Sequence, residues 1–304
     1  MAKIFIDGSA GTTGLRIAQR LEQRTDIDLI RLTEEDRKDP SARRDAMAAA
    51  DVAFFCLPDA AAVEAASMAE KDTAVIDTST AHRTAEGWTY GFPELPGQRK
   101  KIRRSFRIAN PGCHASGFIA LAAPLVQAGL LSPDAALTCF SVTGYSGGGK
   151  KMIAEYEAEG RDPSLDSPRQ YALGQRHKHL PEMAKLSGLE TPPVFCPIVA
   201  DYYSGMAVTI PLHRKDLRGS AGDVAAAYKA LYTGPVVRYV SCPEGMLAGN
   251  AMAGKDGMEI TVAGDGERIL LISIFDNLGK GASGAAIQNL NLLLGAEETL
   301  GLVL

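Results

Sequence analysis

Lys3-Ile4-Phe5-Ile6-Asp7-Gly8-Ser9-Ala10-Gly11-Thr12-Thr13-Gly14-Leu15 is the stretch whose reading decides the fold. Residues 3–7 have the composition of a short buried strand. Residues 8–14 form a glycine turn, and 15–24 an amphipathic helix with Leu15, Ile17, Ala18 and Leu21 at roughly helical spacing. A glycine loop placed after a strand and before a helix lets the backbone approach a pyrophosphate, while free N–H groups and the helix dipole face its charge. Gly8, Ser9, Gly11, Thr12, Thr13 and Gly14 are therefore the candidate dinucleotide contacts. The spacing is GxxGxxG rather than GxGxxG, and a plain tight turn uses the same residues. Its place after the first strand favours the nucleotide. At the end of the second strand the signal divides. Arg31 and Thr33 suit a 2′-phosphate, whereas Glu34 and Glu35 suit a ribose diol, so the pattern alone leaves NADP and NAD both open.

Working outward, strands are expected at 28–32, 52–57 and 74–77, with helices at 42–50 and 60–70. This alternation predicts an α/β fold, a Rossmann-like doubly wound parallel sheet. After Trp88 comes a loop with Pro93 and Pro96 and a basic run (Arg99, Lys100, Lys101, Arg103, Arg104) that reads as a solvated loop face. Asn110-Pro111-Gly112-Cys113 then opens an Ala-rich helix to about Ala128, with Gly129 as its stop. From Ala136 onward strand-like runs dominate (137–145, 194–200, 206–213, 236–240, 259–263, 268–275), with a helix over 223–232. That is the texture of an α+β domain on a mostly antiparallel sheet. The expected domains are 1–112 for the dinucleotide, with a C-terminal helix in 282–304 packing back on it, and 113–281 for catalysis and oligomerisation.

The chain has 304 residues, 46% hydrophobic and 22% charged, with net charge -4. A sequence pI near 5.8 argues against a broad nucleic-acid or anionic-membrane surface, though not against a local basic pocket. No apolar run reaches the ~18–20 residues of a membrane helix, and residues 1–8 lack a signal-peptide core, so a cytoplasmic protein is expected. Five scattered cysteines without a CxxC pair signal neither a disulfide framework nor a structural zinc site.

Cys113 stands apart from Cys56, Cys139, Cys196 and Cys242, whose default is an inert buried thiol. At a helix start the dipole and free N–H groups favour thiolate, and Pro111-Gly112 lets a substrate come close. A thiolate beside a nicotinamide site implies an acyl group held as thioester and reduced by hydride, or the reverse. Such chemistry needs a proton donor and acceptor. His177-Lys178-His179 is the one place where two histidines lie close together; His179 is the favoured acid/base and His177 the weaker candidate. The alternatives are a solvated turn and an HxH metal site, the latter without a further ligand cluster. Gly144-Tyr145-Ser146-Gly147-Gly148 matches GxSxG, and Asp201 and His213 follow in hydrolase order, so a serine hydrolase is a rival reading. The same segment through Lys150 and Lys151 offers backbone donors and two ammonium groups to an acyl phosphate.

Several motifs occur in order: the glycine loop, Asp77-Thr78-Ser79 with Arg83, Tyr90-Gly91-Phe92-Pro93-Glu94-Leu95, Asn110-Pro111-Gly112-Cys113, the Ser-Gly-rich Lys segment, His177-Lys178-His179-Leu180-Pro181-Glu182, and Asp276-Asn277-Leu278-Gly279-Lys280-Gly281-Ala282. Together they resemble the compact subgroup of the N-acetyl-gamma-glutamyl-phosphate reductase family, relatives of aspartate-semialdehyde dehydrogenase. The resemblance implies NADPH-dependent reduction of N-acetylglutamyl 5-phosphate to the 5-semialdehyde in arginine biosynthesis, by a cytoplasmic homo-oligomer, a tetramer or dimer. It implies Cys113 as nucleophile and His179 as acid/base. Further cofactor contacts would come from Arg31, Ser79, Asn277, Gly281 and Ala282, and substrate contacts from Asn110, Ser146, Gly147, Lys150, His177 and Glu182. The family commonly has Ser-Gly-Ala-Gly-Arg where this chain has Ser146-Gly147-Gly148-Gly149-Lys150, a point charge in place of a forked guanidinium. Reductases of aspartyl or aminoadipyl phosphate, a serine hydrolase and a noncatalytic NADP-binding regulator are the alternatives. No metal, nucleic acid or membrane partner is expected.

Overall fold

Successive residues of the N-terminal strands face opposite ways and are apolar on both faces, the pattern of parallel strands covered on two sides. In the computed structural model, which describes residues 1–304, β1 (Ala2–Asp7), β2 (Ile27–Ile30), β3 (Val52–Phe55), β4 (Ala74–Asp77), β5 (Thr89–Tyr90) and β6 (Arg107–Ala109) form one sheet. Its order is β2-β1-β3-β4-β6-β5 and every neighbouring pair is parallel. Ile4, Val52, Phe54, Ile76 and Ile108 pack one face against Ile17 and Leu21 of α1 (Thr12–Leu21) and Ile287 and Leu290 of the final helix, Gly284–Leu294. Phe5, Ala53, Phe55 and Val75 pack the other face against α2 (Pro40–Ala48) and α3 (Asp59–Met68) through Ala46, Met47 and Ala65. Each such Leu, Ile or Phe contributes ~1.5–3 kcal/mol on burial. The order reverses direction between β1 and β3, and the glycine loop leaves β1 at that switch point.

This first unit comprises Met1–Pro93, Gly97–Pro111 and Ala282–Leu302. Two local readings are corrected. The basic run is not all loop: Arg99, Lys100 and Lys101 ride on the short α4 (Gln98–Ile102), which one fully buried side chain, Ile102, fastens to the sheet. The final helix is shorter than 282–304, because a π-helical turn, Gly279–Ser283, precedes it and Gly295 in the left-handed region ends it.

The second unit comprises Glu94–Pro96, Gly112–Gly281 and Val303–Leu304. Its centre is α5 (Cys113–Gln127), apolar all round and buried from His114 through Leu125, as a core helix must be. A Cβ on Gly117 would run into Val208, Ser273 and Phe275, so only glycine lets the helix backbone rest directly on the sheet. The sheet contains β7 (Thr138–Gly144), β8 (Arg169–Gln170), β9 (Val194–Ala200), β10 (Met206–His213), β11 (Val237–Tyr239), β12 (Met258–Gly264) and β13 (Arg268–Phe275). Its order is β11-β12-β13-β10-β7-β9-β8. It is mixed: β7–β9 and β11–β12 are parallel and the other four neighbouring pairs antiparallel. Also in this unit are α6 (Gly149–Glu157), α7 (Leu180–Ser187) and α8 (Ala221–Leu231). The face of the sheet away from α5 leaves Phe140 43%, Val194 57% and Leu270 38% exposed, an apolar surface with no covering element in the protomer.

Candidate active site

Gly112 caps α5 with extended backbone (φ -80°, ψ 145°), and Cys113 is the first helical residue. The cap is fastened from two sides. The Gly112 N–H donates to Glu182 Oε1 at 2.7 Å, and the Gly112 carbonyl accepts from the Ser116 N–H (2.8 Å) and Ser116 Oγ (3.0 Å). Cys113 keeps partial solvent access at the edge of an otherwise buried segment. It thus meets the positive end of a helix whose own position is fixed by the core, a setting that favours thiolate.

The next residue, His114, is buried, with Nδ1 2.6 Å from Ser141 Oγ and Nε2 2.7 Å from the Tyr171 hydroxyl. Around it stand His177 (ring centroids 5.7 Å apart), His179 (5.6 Å) and Phe195 (5.3 Å), and the His177 and His179 rings are 4.8 Å apart. Burial holds the His114 pKa down to about 3, and burial followed by the Lys178 charge holds His177 down to about 4. Both are neutral near pH 7. Burial raises the Tyr171 hydroxyl, and the Cys113 sulfur adds to that rise, which places the phenol in the electrostatic field of the thiol. His179, buried at the start of α7, is the remaining imidazole of the cluster. Sequence reasoning missed His114 and Tyr171, whose only signals were adjacency to Cys113 and a tyrosine six residues before His177.

The Asp276–Gly281 turn reaches the same place. A Cβ on Gly281 would lie 2.9 Å from the Cys113 Cβ, so glycine is required for this approach. The buried Asp276 carboxylate shapes the turn by accepting from the Leu278 N–H (2.7 Å), the Gly279 N–H (3.1 Å) and Ser204 Oγ (2.8 Å). Lys280, fully buried, places Nζ 2.9 and 2.8 Å from the two oxygens of Glu94. Asn277 accepts from the Gly205 N–H (2.8 Å) and donates to Ser146 Oγ (3.0 Å). Beside Ser146, Gly147 and Lys150 are exposed. The second unit therefore gathers Cys113, His177, His179, Glu182, Asn277, Gly281, Ser146, Gly147 and Lys150. Glu182 and Asn277 are engaged there in holding backbone and neighbouring side chains.

The first unit holds the glycine loop, Arg31, Ser79, Asn110 and Ala282. Gly8 has φ +90°, and a Cβ there would strike the Cys56 carbonyl. A Cβ on Gly14 would strike the Gly8 carbonyl and come within 3.0 Å of the Ser9 Cα, so the loop closes tightly on itself and on Cys56 only because glycine stands at these positions, leaving a backbone cradle. Beside Gly8, Ser9 and Ala10 opens a cavity of about 640 Å³. Gly11 caps α1, and Thr12 and Thr13 form its first turn without a side-chain cap bond, leaving first-turn N–H groups for an anion. A dinucleotide phosphate fits this cradle. Ser79 donates to the buried Asp77 (2.6 Å), which also bonds His82 Nδ1 (2.6 Å). Asn110 donates to the Ala282 carbonyl (3.0 Å) and accepts from Asn289 (3.2 Å).

The hydrolase constellation does not assemble. Ser146 is 1% exposed and is bonded to Asn277, and Asp201 is paired with Arg161. His213 ends β10, whereas Ser146 bonds near its beginning through Tyr203. The strand length separates the two by roughly 25 Å. Nor do the histidines form a group of three or more His, Cys, Asp or Glu side chains able to hold a metal ion. No helix is long and apolar enough to cross a membrane.

Residues 113–277 match the family model described as semialdehyde dehydrogenase, dimerisation domain, and residues 38–104 the one described as semialdehyde dehydrogenase, NAD binding domain. The chain is 44% identical over 306 residues to N-acetyl-gamma-glutamyl-phosphate reductase of Brucella ovis, covering 96% of this chain and 99% of the relative. It is also 44% identical over 315 residues to the protein of that name from Chelativorans sp. (strain BNC1), covering 96% and 98%. Among solved structures, aspartate semialdehyde dehydrogenase II of Vibrio cholerae superposes with a TM-score of 0.74 at 18% identity, over 97% of this chain and 98% of that one. The Candida albicans aspartate semialdehyde dehydrogenase with NADP superposes with a TM-score of 0.67 at 17% identity, over 99% of both chains. These two share the fold.

Proposed function

The chain belongs to the N-acetyl-gamma-glutamyl-phosphate reductase family, and on that premise we propose that it reduces N-acetyl-L-glutamyl 5-phosphate to N-acetyl-L-glutamate 5-semialdehyde with NADPH, releasing phosphate, in arginine biosynthesis. The observation that carries the mechanism is Cys113 at the start of a buried helix, with Gly281 against its Cβ and the imidazole cluster beside it.

The Cys113 thiolate attacks the acyl carbon. The bond from that carbon to the phosphate oxygen breaks, phosphate leaves, and the acyl group stays on sulfur as a thioester. Gly147 and Lys150 face the departing phosphate or the substrate carboxylate, Lys150 as a point charge, while Ser146, buried and bonded to Asn277, holds the segment that carries them. Gly8, Ser9, Gly11, Thr12, Thr13 and Gly14 would hold NADPH, with Arg31, Ser79, Asn277, Gly281 and Ala282 as further contacts, and the chemistry it would supply there is a hydride for the thioester carbonyl. His179 gives a proton to the carbonyl oxygen, forming a thiohemiacetal on Cys113. It takes the proton back as the C–S bond breaks and the semialdehyde departs. His177 helps fix the backbone at the start of α7, its Nδ1 accepting from the His179 backbone N–H at 3.2 Å. Asn110 and Glu182 position the loop that carries Cys113.

The match to a dimerisation domain, together with the open apolar face bearing Phe140, Val194 and Leu270, supports a homo-oligomer paired through that face, as a dimer or as a tetramer of two such pairs. The test of the activity is phosphate-dependent reduction of NADP by N-acetylglutamate 5-semialdehyde, with wild type and Cys113→Ala side by side. Turnover by wild type alone supports the reading. Turnover with aspartate semialdehyde instead would keep the thiol chemistry and overturn the substrate.

A further inference from the structure

The cavity beside the glycine loop has a charged outer wall made by Arg31, Arg37, Lys38 and Arg43, four cations against two carboxylates, Asp7 and Glu22. Both carboxylates are already engaged. Asp7 accepts from Arg43 at 2.8 and 3.1 Å with both side chains largely buried, and Glu22 holds Arg31 at 2.7 Å. The residues that would recognise a ribose diol are not in the wall. Glu34 pairs with Arg37 at 2.6 Å, and neither it nor Glu35 lines the cavity. Thr33, one of the two phosphate candidates on sequence, is also outside it, with its hydroxyl donating to Asp36 at 2.7 Å.

What remains is one short turn, Asp36–Lys38, following β2 and presenting two adjacent cations to the cavity. Lys38 has no ion-pair partner. The partner of Arg37 is Glu34, 85% exposed, and an exposed pair of this kind is weak enough to yield to a better anion. A phosphate monoester carries about -1.5 to -2 at pH 7 and accepts several charge-assisted hydrogen bonds. We propose that Lys38 and Arg37 bind the 2′-phosphate of the cofactor and set the preference for NADPH over NADH, while Arg31, tied to Glu22, serves as cavity wall. This rests on the reading of the chain as an NADPH enzyme, and it identifies residues that the sequence pattern passed over.

The test uses the full chain and two probes that differ only in the 2′-phosphate, adenosine 2′,5′-bisphosphate and 5′-AMP, titrated by calorimetry. Wild type binds the bisphosphate at least ~10-fold more tightly than 5′-AMP, as one strong charge-assisted contact provides. Lys38→Gln lowers bisphosphate affinity by about 10-fold and Arg37→Gln by several-fold, with 5′-AMP binding within about twofold of wild type in both. Arg31→Gln changes the ratio least. The proposal is overturned if Lys38→Gln and Arg37→Gln leave the ratio unchanged, or if Arg31→Gln alone abolishes it. A wild type that binds 5′-AMP as tightly as the bisphosphate overturns it as well. That last result bears on cofactor choice, whereas the Cys113 chemistry stands or falls separately on semialdehyde turnover.

Discussion

The Lys280–Glu94 ion pair can be tested by removing each partner and then both. Lys280 is fully buried and the Glu94 side chain is 5% exposed, with the ammonium between both carboxylate oxygens at 2.8 and 2.9 Å. Lys280→Met leaves a buried carboxylate without its ammonium, and Glu94→Leu leaves the reverse. Either single change should cost about 3–5 kcal/mol, because the remaining charge keeps its desolvation penalty and loses its compensation. In a unit of this size, where ~1 kcal/mol moves the midpoint by ~2–4 °C, that is a fall in Tm of roughly 6–20 °C. The double variant removes both charges and should return to within ~1–2 kcal/mol of wild type. A thermal-unfolding double-mutant cycle reads the coupling, and kcat for the same set reads its link to the site, since Lys280 precedes the glycine that lies against Cys113. Single variants that shift Tm by less than about 2 °C, or a double variant as unstable as the two singles combined, would refute the reasoning.

Other expectations follow from the same geometry. His179→Gln should lower kcat by ~10²–10⁴-fold while thioester formation persists, which stopped-flow phosphate release checks; an unchanged kcat rules out its proton role. Gly14→Ala pushes a methyl group into the Gly8 carbonyl and should weaken NADPH binding by at least ~10-fold in a fluorescence titration; unaltered affinity would mean that the loop does not touch the cofactor. His114 is neutral and buried with a pKa of about 3. In the unfolded chain it titrates near ~6.5, so between about pH 6 and pH 4 the unfolded state binds one proton more. His114 should therefore contribute a fall in stability of ~1.4 kcal/mol for each unit the pH is lowered in that window, on top of whatever other groups contribute. Urea unfolding of wild type and His114→Asn at pH 7, 6 and 5 should show the smaller slope in the variant, and equal slopes would contradict the assignment.

Legibility in the sequence followed the range of the interactions involved. The parallel sheet was readable because β1, β3 and β4 are short apolar runs bounded by turns, and α5 because an apolar stretch follows Asn110-Pro111-Gly112. Cys113 and the two-histidine motif announced themselves by local pattern. β6 did not: three residues, Arg107, Ile108 and Ala109, follow a charged run, and their strand character comes from the ladder to β4. α4 was concealed by its lysines and arginines, because a single buried isoleucine decides it. α7 was hidden by Pro181, which sits acceptably at the second helical position. Least visible were the long-range polar contacts. Glu182 reaches Gly112 across 70 residues and Lys280 reaches Glu94 across 186, and no periodicity records such a pairing. The GxSxG match failed for the complementary reason, since a local pattern cannot report that β10 carries His213 away from Ser146.

The central claim is that Cys113 takes the acyl group before any hydride moves. Mixing enzyme with N-acetylglutamyl 5-phosphate in the absence of NADPH, and following phosphate release with intact-protein mass in parallel, tests it directly. The account predicts a burst of one phosphate per active site and an acyl adduct on Cys113, both absent in Cys113→Ala. Phosphate release that awaits NADPH, or an adduct that persists in Cys113→Ala, would contradict it.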